Sequence, residues 1–405
     1  MNLSQRVTDI VPSPTLILDA TAKRMIREGH DVVNLSVGEP DTPTPQSACE
    51  RAIEAMQTGM TRYTDVAGHE SLRQAIADHV KARLNLTYAP DQVVVSNGGK
   101  HALFNVFAAL LNPGDEVLIQ TPYWVSYPEQ VKLCGGVPVL CKTTEATGFK
   151  MNGAMLEELV TPRTKLLVIN SPSNPSGAVY SLRELEDLAH FAIRHRLVII
   201  SDEIYDQLIY DGQAHWSIAQ LSPHLLENTV IVNGWSKTWG MTGWRLGYTL
   251  SNPRFARAFR DLQGHVTSNV CSVAQWAALG ALESNDPDMQ ERFSLRRDYL
   301  VRTLRAIPGV KLASPQGAFY AFPNLSHFVG RRYKGHVLTS VDELCVHLLS
   351  DYKVSIVPGS GFGSPDNARI SYAVDLKRLV TASDRINQFL REVGPAQDRE
   401  LVLNN

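Results

Sequence analysis

The middle of the chain alternates short, continuously apolar segments with amphipathic segments of helical length, and this alternation constrains the fold more than any other feature. The apolar segments read as strands, and each runs into glycines or polar residues: QVVVSNGG, EVLIQTPYW, KLLVINSPSNPSG, LVIISDEIY and TVIVNGWS. Intervening segments such as KHALFNVFAALL and SLRELEDLAHFAIRH carry apolar residues at helical spacing. Strands that are apolar on both faces and alternate with helices indicate a parallel sheet covered on both sides. We therefore predict an α/β protein with a mostly parallel central sheet.

The length of the chain indicates two domains. Its 405 residues exceed the roughly 100–200 residues of an ordinary single domain. The segment NDPD at 285–288 interrupts the alternation, and the segments after it predict a smaller α+β unit. We expect a large domain at residues 46–285 and a small domain made of residues 1–45 and 286–405.

Composition and charge argue against several classes of protein. The formal net charge is −2, so nothing favours binding to nucleic acid or to an anionic membrane. No apolar run approaches the roughly 18 residues of a membrane span, and the first residues lack a signal-peptide pattern. The five cysteines are scattered and odd in number, which favours reduced thiols and a cytoplasmic protein. The last segment, QDRELVLNN, is predicted to be a solvated tail.

Polar residues follow the carboxyl ends of the predicted strands, where ligands bind in sheets of this kind. They are Gly98, Gly99, Trp124, Asn174, Asp202, Tyr205 and Lys237. The two glycines precede a predicted helix, whose N–H groups suit a phosphate, although a plain helix start gives the same pattern. Asp202 ends a buried strand, so it is either a partner for a buried cationic nitrogen or a cap or structural ion pair. Asn174 lies in a segment rich in turn formers, which by itself indicates only a loop.

The stretch GWSKTWGMTGWRLGY at 234–248 contains one lysine, one arginine and no acid. A lysine among apolar neighbours has a lowered pKa and becomes a nucleophile toward carbonyl groups, whereas a lone lysine is by default a surface residue. Arg245 suits a phosphate dianion. An amine, a carboxylate, a phenol, an amide, a glycine-rich helix start and a guanidinium at one sheet edge fit pyridoxal 5′-phosphate (PLP). Its aldehyde, ring nitrogen, O3′ and phosphate each need such a group.

These segments resemble the class I aminotransferases of PLP fold type I, and among them the prokaryotic aspartate aminotransferase subgroup. The resemblance rests on SPSNPSGAVY, SDEIYDQLIY, SKTWGMTGWRLGY and GAFYAF, and it extends from LSVGEPDTPTP to RISYA. It implies that family's fold, a homodimer with active sites at the subunit interface, and transfer of an amino group between an amino acid and a 2-oxo acid. A PLP-dependent lyase or oxidase on the same fold is an alternative.

The resemblance also implies roles in cofactor binding. Lys237 would bond to the aldehyde and serve as acid and base, Asp202 would pair with the ring nitrogen, and Trp124 would stack on the ring. Tyr205 and Asn174 would hydrogen-bond O3′. The phosphate would be held by Gly99, the backbone of Lys100, Ser236, Arg245 and, from the neighbouring subunit, Tyr63. The bonds Thr121–Pro122 and Asn174–Pro175 are expected to be cis.

Substrate binding follows from the same resemblance. Arg369 would clamp the α-carboxylate, with Gly38 and Asn174 nearby. Lys100, Ser13 and Thr15 would bind the distal carboxylate of aspartate or glutamate, with 2-oxoglutarate and oxaloacetate as keto partners; aromatic or other amino acids are the alternative. Members that also use prephenate tend to carry a lysine where this chain has Val11, so prephenate activity is not expected. Trp239 and Gly240 replace the usual Phe-Ala pair, with no effect that the sequence predicts.

Other functions find less support. A nicotinamide dehydrogenase would need G-x-G-x-x-G between its first strand and helix, and the nearest match, GSGFG at 359–363, has the wrong spacing and a late position. A PLP-fold transcription regulator would need an added DNA-binding domain, for which the part before residue 46 leaves no room. A metal hydrolase would need a motif such as H-E-x-x-H. His190 and His195 are five residues apart and do not share a helix face, so both are expected to be exposed.

Overall fold

The computed structural model describes residues 3–394, and the solvated tail predicted at 397–405 lies outside them. Helices α1–α7 are Gln5–Thr8, Pro14–Arg27, Gln46–Gln57, Glu70–Leu84, Gly99–Leu110, Ser126–Leu133 and Gly153–Glu157. Helices α8–α14 are Leu182–Arg194, Pro223–Asn228, Pro253–Val266, Ser272–Leu282, Met289–Arg305, Val341–Tyr352 and Leu376–Glu392.

The strands alternate with these helices along the chain. Strands β1–β7 are Val33–Asn34, Val93–Ser96, Glu116–Thr121, Val137–Lys142, Thr164–Asn170, Val198–Asp202 and Thr229–Gly234. Strands β8–β14 are Gly247–Leu250, Tyr320–Ala321, Arg332–Tyr333, His336–Val337, Val354–Ser355, Val357–Pro358 and Ala368–Ser371.

A seven-stranded sheet in the order β2-β8-β7-β6-β5-β3-β4 forms the centre of the fold. Every neighbouring pair is parallel except the two pairs that β8 makes with β2 and β7. The prediction of a mostly parallel α/β sheet is therefore confirmed. Because β2, β3, β5, β6 and β7 all run in the same direction, their carboxyl ends lie at one edge of the sheet.

Local sequence explains both the strands and the helices that cover them. All residues of β2, β3 and β7 are buried, as expected for strands that helices cover on both faces. Helix α8 begins at a capping box, in which Ser181 N–H donates to Glu184 at 2.8 Å. Its Leu185, Leu188 and Ala192 recur at helical spacing and pack in the same hydrophobic cluster as Leu167 and Ile199 of the sheet.

A second group of elements follows the central sheet. Strands β13, β14 and β9 form an antiparallel sheet, and β1 pairs in parallel with β12, which joins the N-terminal part to the late part of the chain. A hydrophobic cluster unites β1, β9, β12 and β14 with α12, α13 and α14, and it also includes Tyr205, Leu208 and Tyr210 from the segment after β6. The GSGFG segment forms a 3₁₀ turn after β13 and leads into β14, so it lacks the strand-to-helix context of a dinucleotide site.

Three further features bear on the classes of protein considered above. Within residues 3–394 no helix is long and apolar enough to cross a membrane, and no group of His, Cys, Asp and Glu could hold a metal ion. His190 is exposed, as expected, whereas His195 is only partly exposed because it follows the last residue of α8 and contacts Glu157 at 3.0 Å. All five cysteines are free.

Candidate active site

One cavity of about 250 Å³ lies where the carboxyl ends of the parallel strands meet. Of the residues singled out from the sequence, those that line it are Ser13, Thr15, Gly38, Gly99, Lys100, Trp124, Asn174, Asp202, Tyr205, Ser236, Lys237, Arg245 and Arg369. Tyr63 does not line it, and its side chain is 91% exposed. Gly99, Trp124, Asn174, Asp202, Ser236 and Lys237 meet there because they follow different strands of the central sheet that end at the same edge. Ser13, Thr15, Gly38 and Arg369 reach the cavity from elements outside that sheet.

Lys237 lies three residues after the end of β7, beyond the buried Trp235. Its Nζ donates a hydrogen bond to the carbonyl oxygen of Gly38 at 2.6 Å and lies 5.9 Å from the ring centre of Tyr205. Burial, together with the charge of Arg369, lowers the pKa of Lys237 to about 8. The amine is thus held in one place and loses its proton far more easily than an ordinary lysine.

Asp202 is the last residue of β6 and is buried. Its Oδ2 accepts a hydrogen bond from the Tyr127 hydroxyl at 2.6 Å, and its Oδ1 accepts one from the backbone N–H of Ile204 at 3.3 Å. Burial raises the pKa of Asp202 to about 6, against the opposing effect of the Tyr127 hydrogen bond. Tyr127 was not singled out from the sequence, although it lies three residues after Trp124 in the segment PYWVSYPE.

Tyr205 is buried on the loop that follows β6, and its hydroxyl lies 2.9 Å from the hydroxyl of Tyr320. Burial raises the pKa of Tyr205 well above its usual value, so the phenol stays protonated and can donate. Tyr320 belongs to GAFYAF, one of the motifs on which the family resemblance rests, but the sequence predicted no role for this residue. It also lies under the guanidinium of Arg369, 4.6 Å from the ring centre.

Arg369 on β14 is 2% exposed and is held from three sides. Its Nη1 donates to the side-chain oxygen of Asn174 at 2.9 Å, and its Nη2 donates to the carbonyl oxygen of Ser36 at 2.6 Å. Nε has no hydrogen-bond partner within the described chain. Asn174 is fixed in turn, because its backbone N–H donates to Asn170 Oδ1 at 2.8 Å. Asn170, which ends β5, also bonds the carbonyl of Asp202 at 3.1 Å, a link that no sequence signal indicated.

The start of helix α5 and Arg245 form a cradle for an anion. Gly98 caps the helix with a φ of +83°, and a Cβ there would lie 2.6 Å from the guanidinium of Arg245. The positive φ favours glycine at this position, and the missing Cβ leaves room for the guanidinium of Arg245 beside the free N–H groups of the helix start. Arg245 is exposed, although its neighbours in the sequence are largely apolar. It directly follows a 3₁₀ turn at Thr242–Trp244.

Lys100 and Trp124 form the side of the cavity near the N-terminal part of the chain. The Lys100 ammonium lies 5.1 Å from the centre of the Trp124 ring. Lys100 is exposed as a whole residue, but partial desolvation of its ammonium, together with the charge of Arg245, lowers the pKa of Lys100. Ser13 and Thr15 line the same cavity, and the Thr15 hydroxyl has no hydrogen-bond partner in residues 3–394.

Trp239 and Gly240, the two residues that replace the usual Phe-Ala pair after Lys237, do not line the cavity. Trp239 is 8% exposed and packs against Trp235 and His79. Gly240 has a φ of +60°, and a Cβ there would press on the carbonyl oxygen of Thr42. Trp239 is therefore a core residue, and Gly240 permits a close approach between two segments of backbone. The bonds Thr121–Pro122 and Asn174–Pro175 are cis as expected, and Ser171–Pro172 is cis as well.

The charges around the cavity match PLP. Lys100, Lys237, Arg245 and Arg369 line it, and within the described chain none of them forms an ion pair with a carboxylate; their polar partners are carbonyl oxygens and one amide. Among residues 3–394, in contrast, no basic side chain lies within bonding distance of Asp202, whose partners there are a hydroxyl and a backbone N–H. An anionic ligand with a cationic ring nitrogen would satisfy both. The fold and the site together define a PLP-dependent enzyme of the α/β class.

Comparison with known proteins gives the family. The family model for aminotransferase class I and II matches residues 30–386. The aspartate aminotransferase of Geobacillus stearothermophilus is 46% identical over 396 residues, which cover 96% of this chain and 99% of that protein.

Solved structures agree with this assignment. The crystal structure of the aspartate aminotransferase from Rhizobium meliloti superposes with a TM-score of 0.93 at 37% identity, covering 97% of this chain and 100% of that one. The enzyme from Thermus thermophilus, solved with maleate, gives 0.88 at 38% identity, covering 96% and 100%. The chain belongs to the class I and II aminotransferases, and it is a PLP-dependent transaminase.

Proposed function

We propose that the protein moves an amino group between aspartate or glutamate and the 2-oxo acids oxaloacetate and 2-oxoglutarate. The observation that carries this proposal is that Lys100 and Arg369 line the same cavity without a carboxylate partner in the described chain. A dicarboxylate would meet a cation at each end there. The relatives named aspartate aminotransferase support the proposal, as does the Thermus thermophilus structure, since maleate is a dicarboxylate.

Each side chain has a task that follows from its geometry. When bound, PLP supplies an aldehyde that condenses with amines and a ring that accepts the electrons of the Cα–H bond. Asp202, buried and held by Tyr127, would stabilise a proton on the ring nitrogen, and Tyr205 would donate to O3′. Lys237, with a pKa of about 8, would remove the Cα proton and return a proton as acid. Because Asn174 already orients Arg369, the guanidinium is preorganised for the α-carboxylate.

The anion cradle would hold the phosphate. Gly99 and Lys100 offer backbone N–H groups at the start of α5, while Arg245 supplies the balancing charge beside them. Ser236 lines the cavity one residue before Lys237 and would add its hydroxyl. Trp124 would stack on the ring, with Lys100 beyond it toward the distal carboxylate.

Tyr63 fits a role across a subunit interface. It lies outside its own chain's cavity, and it is exposed together with nearby apolar residues: Ile53, Met56 and Met60 are 49%, 54% and 44% exposed. We infer that a second copy of the chain covers this surface, and that Tyr63 reaches the partner's phosphate site. Light scattering should then give the mass of a homodimer, and Tyr63→Ala should weaken PLP binding with little effect on that mass.

Two broader expectations belong to the same proposal. The division into residues 46–285 and residues 1–45 with 286–405 is supported by a hydrophobic cluster that unites Val33 and Leu35 with the late elements, and Tyr205, Leu208 and Tyr210 of the large domain pack into the same cluster. A cytoplasmic location is supported by the five free cysteines.

An amino-donor screen tests the substrate assignment. Purified enzyme with PLP would be assayed as wild type, Lys100→Ala and Lys132→Ala. Aspartate and aromatic amino acids would be compared as donors to 2-oxoglutarate, and in a separate reaction prephenate would be the acceptor of an amino group from aspartate. Lys132 is the matched control, because it is an exposed lysine that pairs with Glu129 and does not line this cavity. We expect aspartate to be preferred and only Lys100→Ala to lose that preference. Faster turnover of aromatic amino acids, or an unchanged preference in Lys100→Ala, would contradict the assignment.

A further inference from the structure

A buried polar cluster lies beside Asp202 but outside the cavity. Its members are Ser201, Glu203, His215 and Ser217, which all come from residues 201–217. Glu203 is 1% exposed and Ser217 is 0% exposed. A buried carboxylate is costly unless it is paired and hydrogen-bonded, so a cluster of this kind needs a reason to persist.

Glu203 is the centre of the cluster. Its Oε1 accepts hydrogen bonds from the hydroxyls of Ser201 at 2.7 Å and Ser217 at 2.6 Å. Its Oε2 lies 3.0 Å from Nε2 of His215. Nδ1 of His215 has no hydrogen-bond partner among the described residues, so Glu203 alone anchors the polar side of that ring.

The cluster closes the loop that carries Tyr205. Ser201 belongs to β6, whereas His215 and Ser217 lie beyond the turns that follow Tyr205, and Glu203 joins the two ends. The backbone N–H of Glu203 also donates to the carbonyl of Val232 on β7 at 2.9 Å. The same side chain therefore fixes both the strand end that presents Asp202 and the loop that presents Tyr205.

The charges around the pair are few and can be named. Helix α4 contributes Arg83, which pairs with Asp206, and the charges of both act on His215; His79 of the same helix lies near Arg83 and Asp206. Tyr88 and, on β8, Tyr248 also face Glu203. Burial opposes a charge on His215, but the hydrogen bond to Glu203 and its charge raise the pKa of His215. The charge of Glu203 is also one cause of the raised pKa of Asp202. A proton on His215 thus offsets a negative charge immediately beside Asp202.

We propose that Glu203 and His215 form a positioning pair for transamination, which aligns Asp202 with Tyr205 and balances the charge next to Asp202. This inference rests on the proposed roles of Asp202 and Tyr205. Neither member of the pair lines the cavity, so both act through other residues rather than by touching substrate.

The test compares His215→Gln, Ser217→Ala, the double variant Glu203→Gln/His215→Gln, and His195→Gln as control. His195 is matched because it also lies 3.0 Å from a glutamate, Glu157, but near the surface. Measurements are the PLP dissociation constant of the apoenzyme by tryptophan fluorescence, kcat and KM for aspartate, thermal unfolding, and the pH at which the visible absorption of bound PLP titrates.

His215→Gln removes the cationic partner of Glu203 but keeps its hydrogen bonds from Ser201 and Ser217. We expect about tenfold weaker PLP binding, about tenfold lower kcat and nearly unchanged KM. Because the charge of Glu203 is then no longer balanced, the pH at which the visible absorption of bound PLP titrates should rise by about half a unit. The double variant removes both charges and should recover most of the loss, whereas His195→Gln should match wild type. Ser217→Ala, which removes only one donor, should weaken PLP binding about threefold.

PLP affinity, kcat and spectral titration within twofold of wild type in His215→Gln, or a loss of thermal stability alone, would overturn the proposal. If His215→Gln does not fold, Ser217→Ala decides by the same criterion for PLP affinity. A wild-type enzyme that fails to use aspartate would instead overturn the proposed substrate. If the wild type uses aspartate but the variants match it in PLP affinity and kcat, only the positioning role of Glu203 and His215 is overturned.

Discussion

Replacing Gly240 with alanine should disturb the active site from a position that does not touch it. Gly240 has a φ of +60°, and a Cβ there would lie well within 3.0 Å of the carbonyl oxygen of Thr42. Ordinary contact begins at 3.4 Å, so the two backbones must separate by at least 0.4 Å. Because the obstructing atom belongs to the backbone, no side chain can simply rotate away.

The loss of folding free energy caused by Gly240→Ala has a conformational part and a packing part. An alanine in the left-handed region costs about 1 kcal/mol, and overpacking costs about 1–3 kcal/mol more. We therefore expect the apoenzyme to unfold about 5 °C lower than wild type.

The displacement should also reach Lys237. Thr42 lies four residues after Gly38, whose carbonyl accepts the hydrogen bond from Lys237 at 2.6 Å. The same two segments are joined by Trp244, which donates to Thr44 at 3.0 Å. A shift of this segment should raise KM for aspartate about threefold to tenfold, since the wall of the cavity at Gly38 moves.

Gly243→Ala is the control, because it adds the same methyl group in the same loop. A Cβ at Gly243 would have no atom within 4 Å, and its φ is not positive. Thermal unfolding and steady-state kinetics on the two variants measure the difference. If Gly240→Ala matches Gly243→Ala in both, the close approach to Thr42 does not position the site.

Three further substitutions test individual contacts. Because the pKa of Asp202 rises from 3.8 to about 6 on folding, the folded apoenzyme binds more protons there, and stability should fall as pH rises from about 4 to 6. Asp202→Asn should remove that fall in urea unfolding at several pH values; an unchanged pH dependence would refute the assignment. Tyr127→Phe removes the hydrogen bond that lowers the pKa of Asp202, so the fall in the free energy of unfolding should continue above pH 6. If the fall ends at the same pH as in wild type, the hydrogen bond does not set the pKa of Asp202. Arg369→Lys cannot keep both bonds to Asn174 and Ser36 and should raise KM for aspartate and 2-oxoglutarate at least about tenfold; unchanged KM values in steady-state kinetics would exclude Arg369 as the carboxylate clamp.

The sequence alone determined the class of fold and the residue types at the strand ends. Short segments that are apolar on both faces predict parallel strands, and parallel strands place their carboxyl ends at one edge. Asp202 and Lys237 could therefore be assigned to one site although they are 35 positions apart in the chain. The order and spacing of the motifs added Arg369, which lies on a different sheet, and for which strand patterns alone gave no signal.

Only the tertiary structure decided which side chains hold the site in place. Tyr127 reaches Asp202, Tyr320 reaches Tyr205, and Asn170 ties Asn174 to β6. None of these contacts follows from periodicity, because each depends on how separate segments pack rather than on local spacing. The same holds for Trp239 and Gly240.

The sequence marked Trp239 and Gly240 as unusual without indicating what they do. The fold shows one filling the core and the other admitting the backbone of Thr42. The physical reason is general to this protein: residue type sets what chemistry a position can offer, while three-dimensional packing sets the partner, the burial and hence the pKa with which it is offered.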